Sequence, residues 1–229
     1  MPLDAHDLRT RALRGTAIFI VALAAIVLLP AWSLAFWQGW LLWLVFSAAT
    51  LLNTLYFLRH DPQLVERRLQ AGPVAETRRT QKIVQSFTSV FMVLTFAFPG
   101  LDHRFGWSQL PAAIVIAGNG LVALGFWIVF RTLRENSYAA ATIGVDKDQP
   151  VVTTGPYALV RHPMYAGAFV MLVGTALALS SAFDLIFAAL TMAAIVWRLL
   201  DEEAFLAESL PGYSAYMRQT RYRLIPGVW

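Results

Sequence analysis

Six apolar segments, separated by short polar gaps, run along the chain. They are Gly15–Ala31, Gln38–Leu58, Ile83–Pro99, Pro111–Phe130, Tyr165–Ser180 and Ala182–Leu199. A helix needs about 20 apolar residues to cross a hydrocarbon core of roughly 30 Å. The first, second and fourth segments are long enough, whereas the third, fifth and sixth are shorter and are expected to be tilted or buried. The pattern predicts an all-α, polytopic membrane bundle of about six spans.

The basic residues predict the orientation of this bundle. Seventeen of the 18 Lys and Arg residues lie in alternate gaps between the segments, and the other gaps hold only Arg104. Cationic loops resist translocation, so the basic side is expected to be cytoplasmic, and an even number of spans places both termini there. Because the net charge of +4 is modest and its cations flank the spans, contact with anionic lipid is favoured over nucleic-acid binding.

Composition excludes several classes of protein. Hydrophobic residues make up 58% of the 229 positions and charged residues only 14%, against about 25% charged in soluble domains. The absence of cysteine excludes disulfides and thiolate chemistry, and the four scattered histidines predict no metal site. The first apolar run is too long for a signal peptide and is interpreted as a retained span. The Ala- and Arg-rich composition suggests a multi-pass protein of a bacterial inner membrane.

The chain changes character near residue 133. Residues 1–133 are interpreted as a scaffold of four spans, in which Asn53, Asn119 and three glycines (Gly118, Gly120 and Gly125) serve packing, a lone Asn usually bonding a neighbouring helix. The Arg59–Lys82 gap, which contains Gly72 and Pro73, is expected to hold a short amphipathic helix. Residues 134–229 combine a polar, turn-rich loop, a tight helical hairpin at Ser180 and Ser181, and a charged, aromatic tail, and are predicted to carry the function.

The polar loop ends in a motif that runs from Gly155 to Gly167. Pro163 suits the first turn of a helix because it has no N–H to lose. His162 then lies at the positive N-terminal end of that helix, which favours an anion. With Tyr157 and Tyr165 it offers aromatic faces and polar tips suited to a purine or a sugar. The alternative is that these side chains anchor the protein at the membrane surface.

A second motif follows the sixth apolar segment. Arg198 and Glu202 are four residues apart and share one helix face, where a simple surface ion pair would contribute only a few tenths of a kcal/mol. Three consecutive acids, Asp201, Glu202 and Glu203, are costly beside hydrocarbon. A cationic or polyhydroxyl ligand is the favoured explanation.

These motifs resemble a known family. Gly-x-Tyr-x-x-x-Arg-His-Pro-x-Tyr-x-Gly, then Arg-x-x-x-Glu-Glu, then Pro-Gly-Tyr-x-x-Tyr resemble the isoprenylcysteine carboxyl methyltransferases and their relatives, which include phospholipid methyltransferases. The resemblance covers roughly residues 136–229 and rests on motif order and spacing.

The resemblance implies S-adenosylmethionine as the methyl donor, bound on the cytoplasmic side in a pocket formed by the 132–164 loop and the C-terminal tail. It implies that Glu202 takes a cofactor hydrogen bond and that Arg198 faces the acceptor, with Arg198, Glu202 and His162 as the catalytic set. Gln149 departs from the eukaryotic pattern, which carries His there. The full set of implied cofactor-binding residues is Gln149, Pro150, Val151, Val152, Tyr157, His162, Pro163, Met164, Tyr165 and Glu202.

The acceptor stays open at this stage. The leading hypothesis is carboxyl methylation of an isoprenylcysteine-type, lipophilic acceptor that enters laterally between spans near the fifth helix. A carboxylate needs no general base, only Arg198 to orient it. A phospholipid amine or a small thiol is the alternative, for which His162 or Glu203 could take a proton. A sterol-reductase-like enzyme that uses NADPH and a non-enzymatic lipid-binding protein are alternatives of other classes.

Overall fold

A computed structural model describes residues 4–69, 79–146 and 149–229. Within these ranges the regular elements are eight α-helices and a single 3-10 turn at Gly155–Ala158, so the predicted all-α class is confirmed. Residues 70–78, with Gly72, Pro73 and Arg78, and residues 147–148 lie outside the described residues. The helices are α1 (Ala5–Leu28), α2 (Trp37–His60), α3 (Pro62–Leu69), α4 (Arg79–Phe105), α5 (Ala112–Glu135), α6 (Pro163–Ala178), α7 (Asp184–Ser209) and α8 (Tyr213–Gln219).

Four helices, α1, α2, α4 and α5, are long and apolar enough to cross a membrane, which makes this an integral membrane protein. The expectation that the third segment is short was wrong, because α4 continues past it at both ends and is 27 residues long. Helix α6 has 16 residues and a length of about 24 Å. In α7 the apolar stretch is bounded by Asp184 and Arg198. The total of six spans stays a prediction.

The long helices alternate in direction. At one end the Phe36 ring stacks on His103 at 4.5 Å, and Ser181 bonds Asp102. At the other end Arg67 donates to Asp146. That second end, called here the basic end, holds the start of α1, helix α3, the described part of the loop between α5 and α6, and the tail. The cationic gaps that the sequence groups on one side are therefore brought together in space.

Helices α5 and α6 approach so closely that only glycine fits between them. A Cβ on Gly118 would lie 2.4 Å from the Ala178 nitrogen, and one on Gly125 would lie 2.6 Å from the Gly167 carbonyl oxygen. The two α5 glycines are seven residues apart and share a face, as small residues do where membrane helices pack. Their predicted packing role is confirmed, whereas a Cβ on Gly120 would meet nothing within 4 Å.

Smaller predictions have mixed outcomes. The amphipathic helix after the second span is confirmed as α3, which buries Leu64, and the hairpin between α6 and α7 turns at Ser180, whose φ is +58°. The expectation for Asn53 and Asn119 was wrong. Each amide donates to the carbonyl four residues earlier in its own helix, at 2.8 and 2.9 Å, because that acceptor is always within reach of an Asn side chain in a helix. The division of the chain at residue 133 stays a prediction.

Candidate functional site

The loop before α6 and the C-terminal tail are hydrogen-bonded to each other through their backbones. The N–H groups of Arg161 and His162 donate to the carbonyls of Tyr222 and Arg223, both at 2.9 Å. His162 is the residue immediately before α6, and Pro163 is its first residue, as the sequence predicts. The start of α6 is therefore held in place by the tail.

A buried ion cluster at Glu203 strengthens this junction. Glu203 lies 2.7 Å from both Arg161 Nη2 and Arg223 Nε, and His162 Nε2 is 3.8 Å from it. Burial alone raises the pKa of Glu203, but His162, Arg223 and Arg161 together lower it to about 2. Glu203 thus connects α7 to the loop and the tail, and so low a pKa makes it a poor proton acceptor.

The three consecutive acids of α7 reach three different parts of the protein. Asp201 accepts a hydrogen bond from the Gln81 amide of α4. Glu202 accepts one from the Tyr165 hydroxyl of α6 at 2.6 Å. Glu203 pairs with the loop and the tail, as described above. The sequence could not separate these roles, because successive residues of a helix point about 100° apart and each meets a different neighbour.

Arg198 organises a second polar network behind the loop. Its guanidinium donates to the Tyr165 hydroxyl and to Gln81 Oε1, each at 3.0 Å, and to the Ala141 carbonyl at 2.8 Å. Because Tyr165 also donates to Glu202, Arg198 and Glu202 hold the same phenol from two sides. The predicted common face of these two residues is present, and its shared partner is Tyr165.

A cavity at the basic end collects the predicted cofactor-binding residues. It has about 800 Å³ of empty volume, solvent-open space included. Arg198 is not among its lining residues and contacts it through Tyr165. All ten predicted cofactor-binding residues line it: Gln149, Pro150, Val151, Val152, Tyr157, His162, Pro163, Met164, Tyr165 and Glu202.

Two buried polar atoms at this cavity have no hydrogen-bond partner among the described residues. They are His162 Nε2 and the Tyr213 hydroxyl oxygen, in side chains that are 6% and 4% exposed. A third group, the Tyr157 hydroxyl, accepts from Asn136 at 3.1 Å. Burial raises the pKa of Tyr157 to about 12, so that its hydroxyl keeps its proton. Since unpaired buried polar groups are costly, the cavity is suited to a polar ligand.

Several lining residues were not assigned to the site from the sequence. Tyr213 and Tyr216 belong to a motif that was noticed, and α8 brings both rings to the cavity. The contact of Gln81 with Arg198 crosses 117 positions, so no local signal could have revealed it. Its position two residues before the third apolar segment was the only indication.

An apolar groove adjoins the cavity on the other side of the α6 start. It has about 1840 Å³ of empty volume, solvent-open space included, and its walls come from α5, α6, α7 and the tail. Pro163 lines both the groove and the cavity. Phe169 and Val173 of α6 form part of its wall, and among the described residues Arg131 is the one charged side chain that lines it. The arrangement places an apolar surface next to a polar pocket.

Comparison with known proteins places this arrangement in a class. Residues 113–211, from α5 to the turn before α8, match the phospholipid methyltransferase family. This match and the similarity to a curated isoprenylcysteine methyltransferase confirm the resemblance to that family of methyltransferases seen in the motifs.

Three curated relatives cover overlapping parts of the chain. Protein-S-isoprenylcysteine O-methyltransferase B of Arabidopsis thaliana is 28% identical over 122 residues, 53% of this chain and 55% of its own length. The cobalt-zinc-cadmium resistance protein CzcN of Cupriavidus metallidurans is 31% identical over 134 residues, 56% and 58% of the two chains. The nickel-cobalt-cadmium resistance protein NccN of Alcaligenes xylosoxydans xylosoxydans is 33% identical over 137 residues, 52% and 62%. The chain thus spans little more than half the length of the relatives that it matches.

Proposed function

We propose that this protein is an S-adenosylmethionine-dependent methyltransferase that modifies a lipophilic acceptor at the membrane. One observation carries the proposal. Ten residues, chosen by motif from the loop, α6 and α7, line a single cavity that the tail helps to close. The match of residues 113–211 to a methyltransferase family supports the same activity.

The cavity offers groups that fit the cofactor. The Tyr213 hydroxyl, which has no hydrogen-bond partner among the described residues, and His162 Nε2, 3.8 Å from Glu203, can bond the ribose hydroxyls or the carboxylate of the methionine part. The carboxylate of Glu202 can accept a hydrogen bond from an amine or a hydroxyl. Tyr157 and Tyr216 offer aromatic faces for the adenine, and Gln149 to Val152 would bind through their backbone groups.

The bound cofactor would supply a methyl group carried on a sulfonium sulfur. The chain's own task is then to align donor and acceptor and to exclude water, which can lower a barrier by roughly 7–11 kcal/mol in ideal cases. The hydrogen bonds of Arg198 and Glu202 to the Tyr165 hydroxyl fix one wall of the cavity. The Glu203 cluster fixes the segment at Arg161 and His162. No covalent enzyme intermediate is needed.

The apolar groove is the proposed site of the acceptor's hydrocarbon part. The groove is lined by α6, which corresponds to the fifth apolar segment, the predicted place of lateral entry. It meets the cavity at Pro163. Carboxyl methylation of an isoprenylcysteine-type acceptor is the leading reaction, and Arg198, buried behind Tyr165, would act on the acid through that phenol. The second candidate is a phospholipid amine, which the name of the matching family favours. His162 would then be the residue placed to take a proton.

The topology completes the proposal. Helices α6 and α7 are proposed to cross the bilayer together with the four long apolar helices. The basic end and both termini would then lie in the cytoplasm. The active site would then face the cytoplasm from a bacterial inner membrane.

A methyl-transfer screen tests the activity. Purified protein is incubated with S-adenosylmethionine that carries a radiolabelled methyl group and with either prenyl thioether carboxylates or membrane lipid extracts. Label should enter an organic-soluble product with the wild type and with Glu208→Gln, whose side chain is exposed on the same helix. Glu202→Gln should lose at least 90% of that label. Absence of transfer to every acceptor, or equal transfer by both variants, would contradict the proposal.

A further inference from the structure

A third cavity lies at the basic end, between α1, α2, α3 and the end of α5. It has about 1030 Å³ of empty volume, solvent-open space included. None of its lining residues lines the cavity of the proposed methyl donor. Its walls are apolar at Phe19, Phe57 and Leu64 and polar at Thr16, Asn53 and Arg68.

Arg68 gives this cavity an uncompensated positive charge. Its guanidinium donates to the Ala139 carbonyl at 3.1 Å and lies 3.6 Å from the Met164 sulfur. No acidic side chain among the described residues forms an ion pair with it, and burial lowers the pKa of Arg68. A half-buried cation whose contacts among the described residues are a carbonyl and a thioether is costly, and an anion in the cavity would remove that cost.

The other polar groups come from α1 and α2. The hydroxyls of Thr16 and Thr54 bond each other across α1 and α2 at 3.1 Å. Asn53 Oδ1 is buried with no hydrogen-bond partner among the described residues, so it can accept a bond from a hydroxyl or an amine. A suitable occupant therefore combines an anion, a hydrogen-bond donor and an apolar part.

The basic residues around the cavity favour an anionic lipid as its occupant. Arg14 on α1, Arg59 on α2 and Arg67 on α3 surround the basic end, where α3 is short and amphipathic. Basic pockets between membrane helices on the cytoplasmic side recruit anionic head groups. We propose that this cavity binds one anionic phospholipid, with its phosphate on Arg68 and its acyl chains along Phe19 and Phe57.

Phospholipid binding to Arg68 would also affect the wall of the donor cavity. Ala139 and Met164, the two contacts of the Arg68 guanidinium, both line the pocket of the proposed methyl donor. A phosphate on Arg68 would fix this guanidinium and the wall that it supports. The lipid site is nevertheless a separate proposal, because its occupancy can be measured without any methyl donor.

Native mass spectrometry of the detergent-solubilised protein tests the site directly. The protein is titrated with phosphatidylglycerol, with phosphatidylcholine of the same acyl chains, with oleate and with inorganic phosphate. We expect one tightly held phosphatidylglycerol, bound at least tenfold more tightly than phosphatidylcholine and displaced by neither oleate nor free phosphate. Displacement by oleate at equal concentration, or by millimolar phosphate, would overturn the assignment to a phospholipid.

Two matched pairs of variants locate the binding. Arg68→Gln should weaken phosphatidylglycerol binding at least tenfold, whereas Arg134→Gln, an exposed cation at the same end, should change it less than twofold. Gly15→Leu fills the cavity from a position where a Cβ meets nothing within 4 Å, and Gly120→Leu adds the same side chain to equally open space on α5. Thermal unfolding confirms that each variant is folded. Equal binding within either pair would overturn the proposal.

Discussion

Buried acidic side chains occur at both ends of this bundle, but their partners differ. At the end opposite the basic end, Asp102 accepts from the Ser181 hydroxyl at 2.5 Å and from the Ser108 N–H at 2.7 Å. At the basic end, Glu203 lies between two arginines and Glu202 accepts from Tyr165. The first arrangement joins α4 to the α6–α7 hairpin with short side chains. The second uses long side chains from distant segments and leaves a cavity between them.

The difference shows that the α5–α6 pair can support a closed end and an end with a cavity at the same time. Helices α5 and α6 are fixed by a glycine interface, so neither end has to hold the bundle together alone. The opposite end encloses its acidic groups completely, including the two oxygens of Asp184, which have no hydrogen-bond partner among the described residues. At the basic end the Tyr213 hydroxyl, also without a partner among those residues, lies at a cavity that a ligand can enter. The loss of stability should therefore be largest for a change that affects both ends, smaller for a change at one end, and smallest for the loss of one hydrogen bond.

The largest effect is expected from the interface that supports both ends. In Gly118→Val the new Cβ would meet the backbone of Ala178 at 2.4 Å, and backbone cannot move aside as a side chain can. We expect a loss of more than about 3 kcal/mol and no recovery of folded protein from the membrane. Gly120→Val, in open space on the same helix, is the control. A normal melting temperature for Gly118→Val would show that the α5–α6 interface is loose.

The next effect is confined to the basic end. Glu203→Ala leaves Arg161 and Arg223 without their shared carboxylate, a change that costs about 3–5 kcal/mol for a buried pair. Thermal unfolding should report the loss, and trypsin should cut the released tail at Arg221 faster than in the wild type. Glu208→Ala serves as the control on the same helix. Unchanged tail cleavage would mean that the cluster does not hold the tail.

The same carboxylate predicts a pH dependence. The pKa of Glu203 is lowered from its usual 4.5 to about 2, so its stabilisation is present above about pH 4.5 and is lost as the pH falls towards 2. The shift corresponds to about 3 kcal/mol. Unfolding curves of the wild type and Glu203→Gln should therefore converge between these pH values. Parallel curves over that range would contradict the ionised cluster.

A smaller effect is expected from a single hydroxyl. Tyr165→Phe removes the group that accepts from Arg198 and donates to Glu202, leaving the buried Arg198 and the half-buried Glu202 with one bond fewer. The expected loss is about 1–3 kcal/mol, and the affinity for S-adenosylhomocysteine should fall about tenfold as Glu202 loses its orientation. Tyr222→Phe, at an exposed ring, should be neutral. Wild-type affinity in Tyr165→Phe would remove Tyr165 from the donor site.

Local chemistry explains what the sequence could predict. The start of α6 at Pro163 follows from the missing N–H of proline, and the hairpin at Ser180 follows from two apolar runs with almost nothing between them. The convergence of His162 and Glu202 on one cavity followed from motif order, because both motifs flank the same hairpin.

Long-range contacts explain what it could not. The bond between Gln81 and Arg198 and the contact of Arg68 with Met164 join residues about 100 positions apart. The expected partners of Asn53 and Asn119 were wrong for a related reason, since a nearby carbonyl competes with any neighbouring helix. The full length of α4 was missed because its first turn, Arg79–Lys82, is polar and its last turn contains Asp102, His103 and Arg104.

The most direct test of this account is calorimetric titration of the detergent-solubilised protein with S-adenosylhomocysteine. We expect one site per chain in the wild type and in Glu208→Ala, no measurable heat for His162→Ala or Glu202→Ala, and no binding of NADPH. Wild-type binding in both site variants, or binding of NADPH in place of S-adenosylhomocysteine, would show that the loop and the tail do not enclose a methyl-donor site.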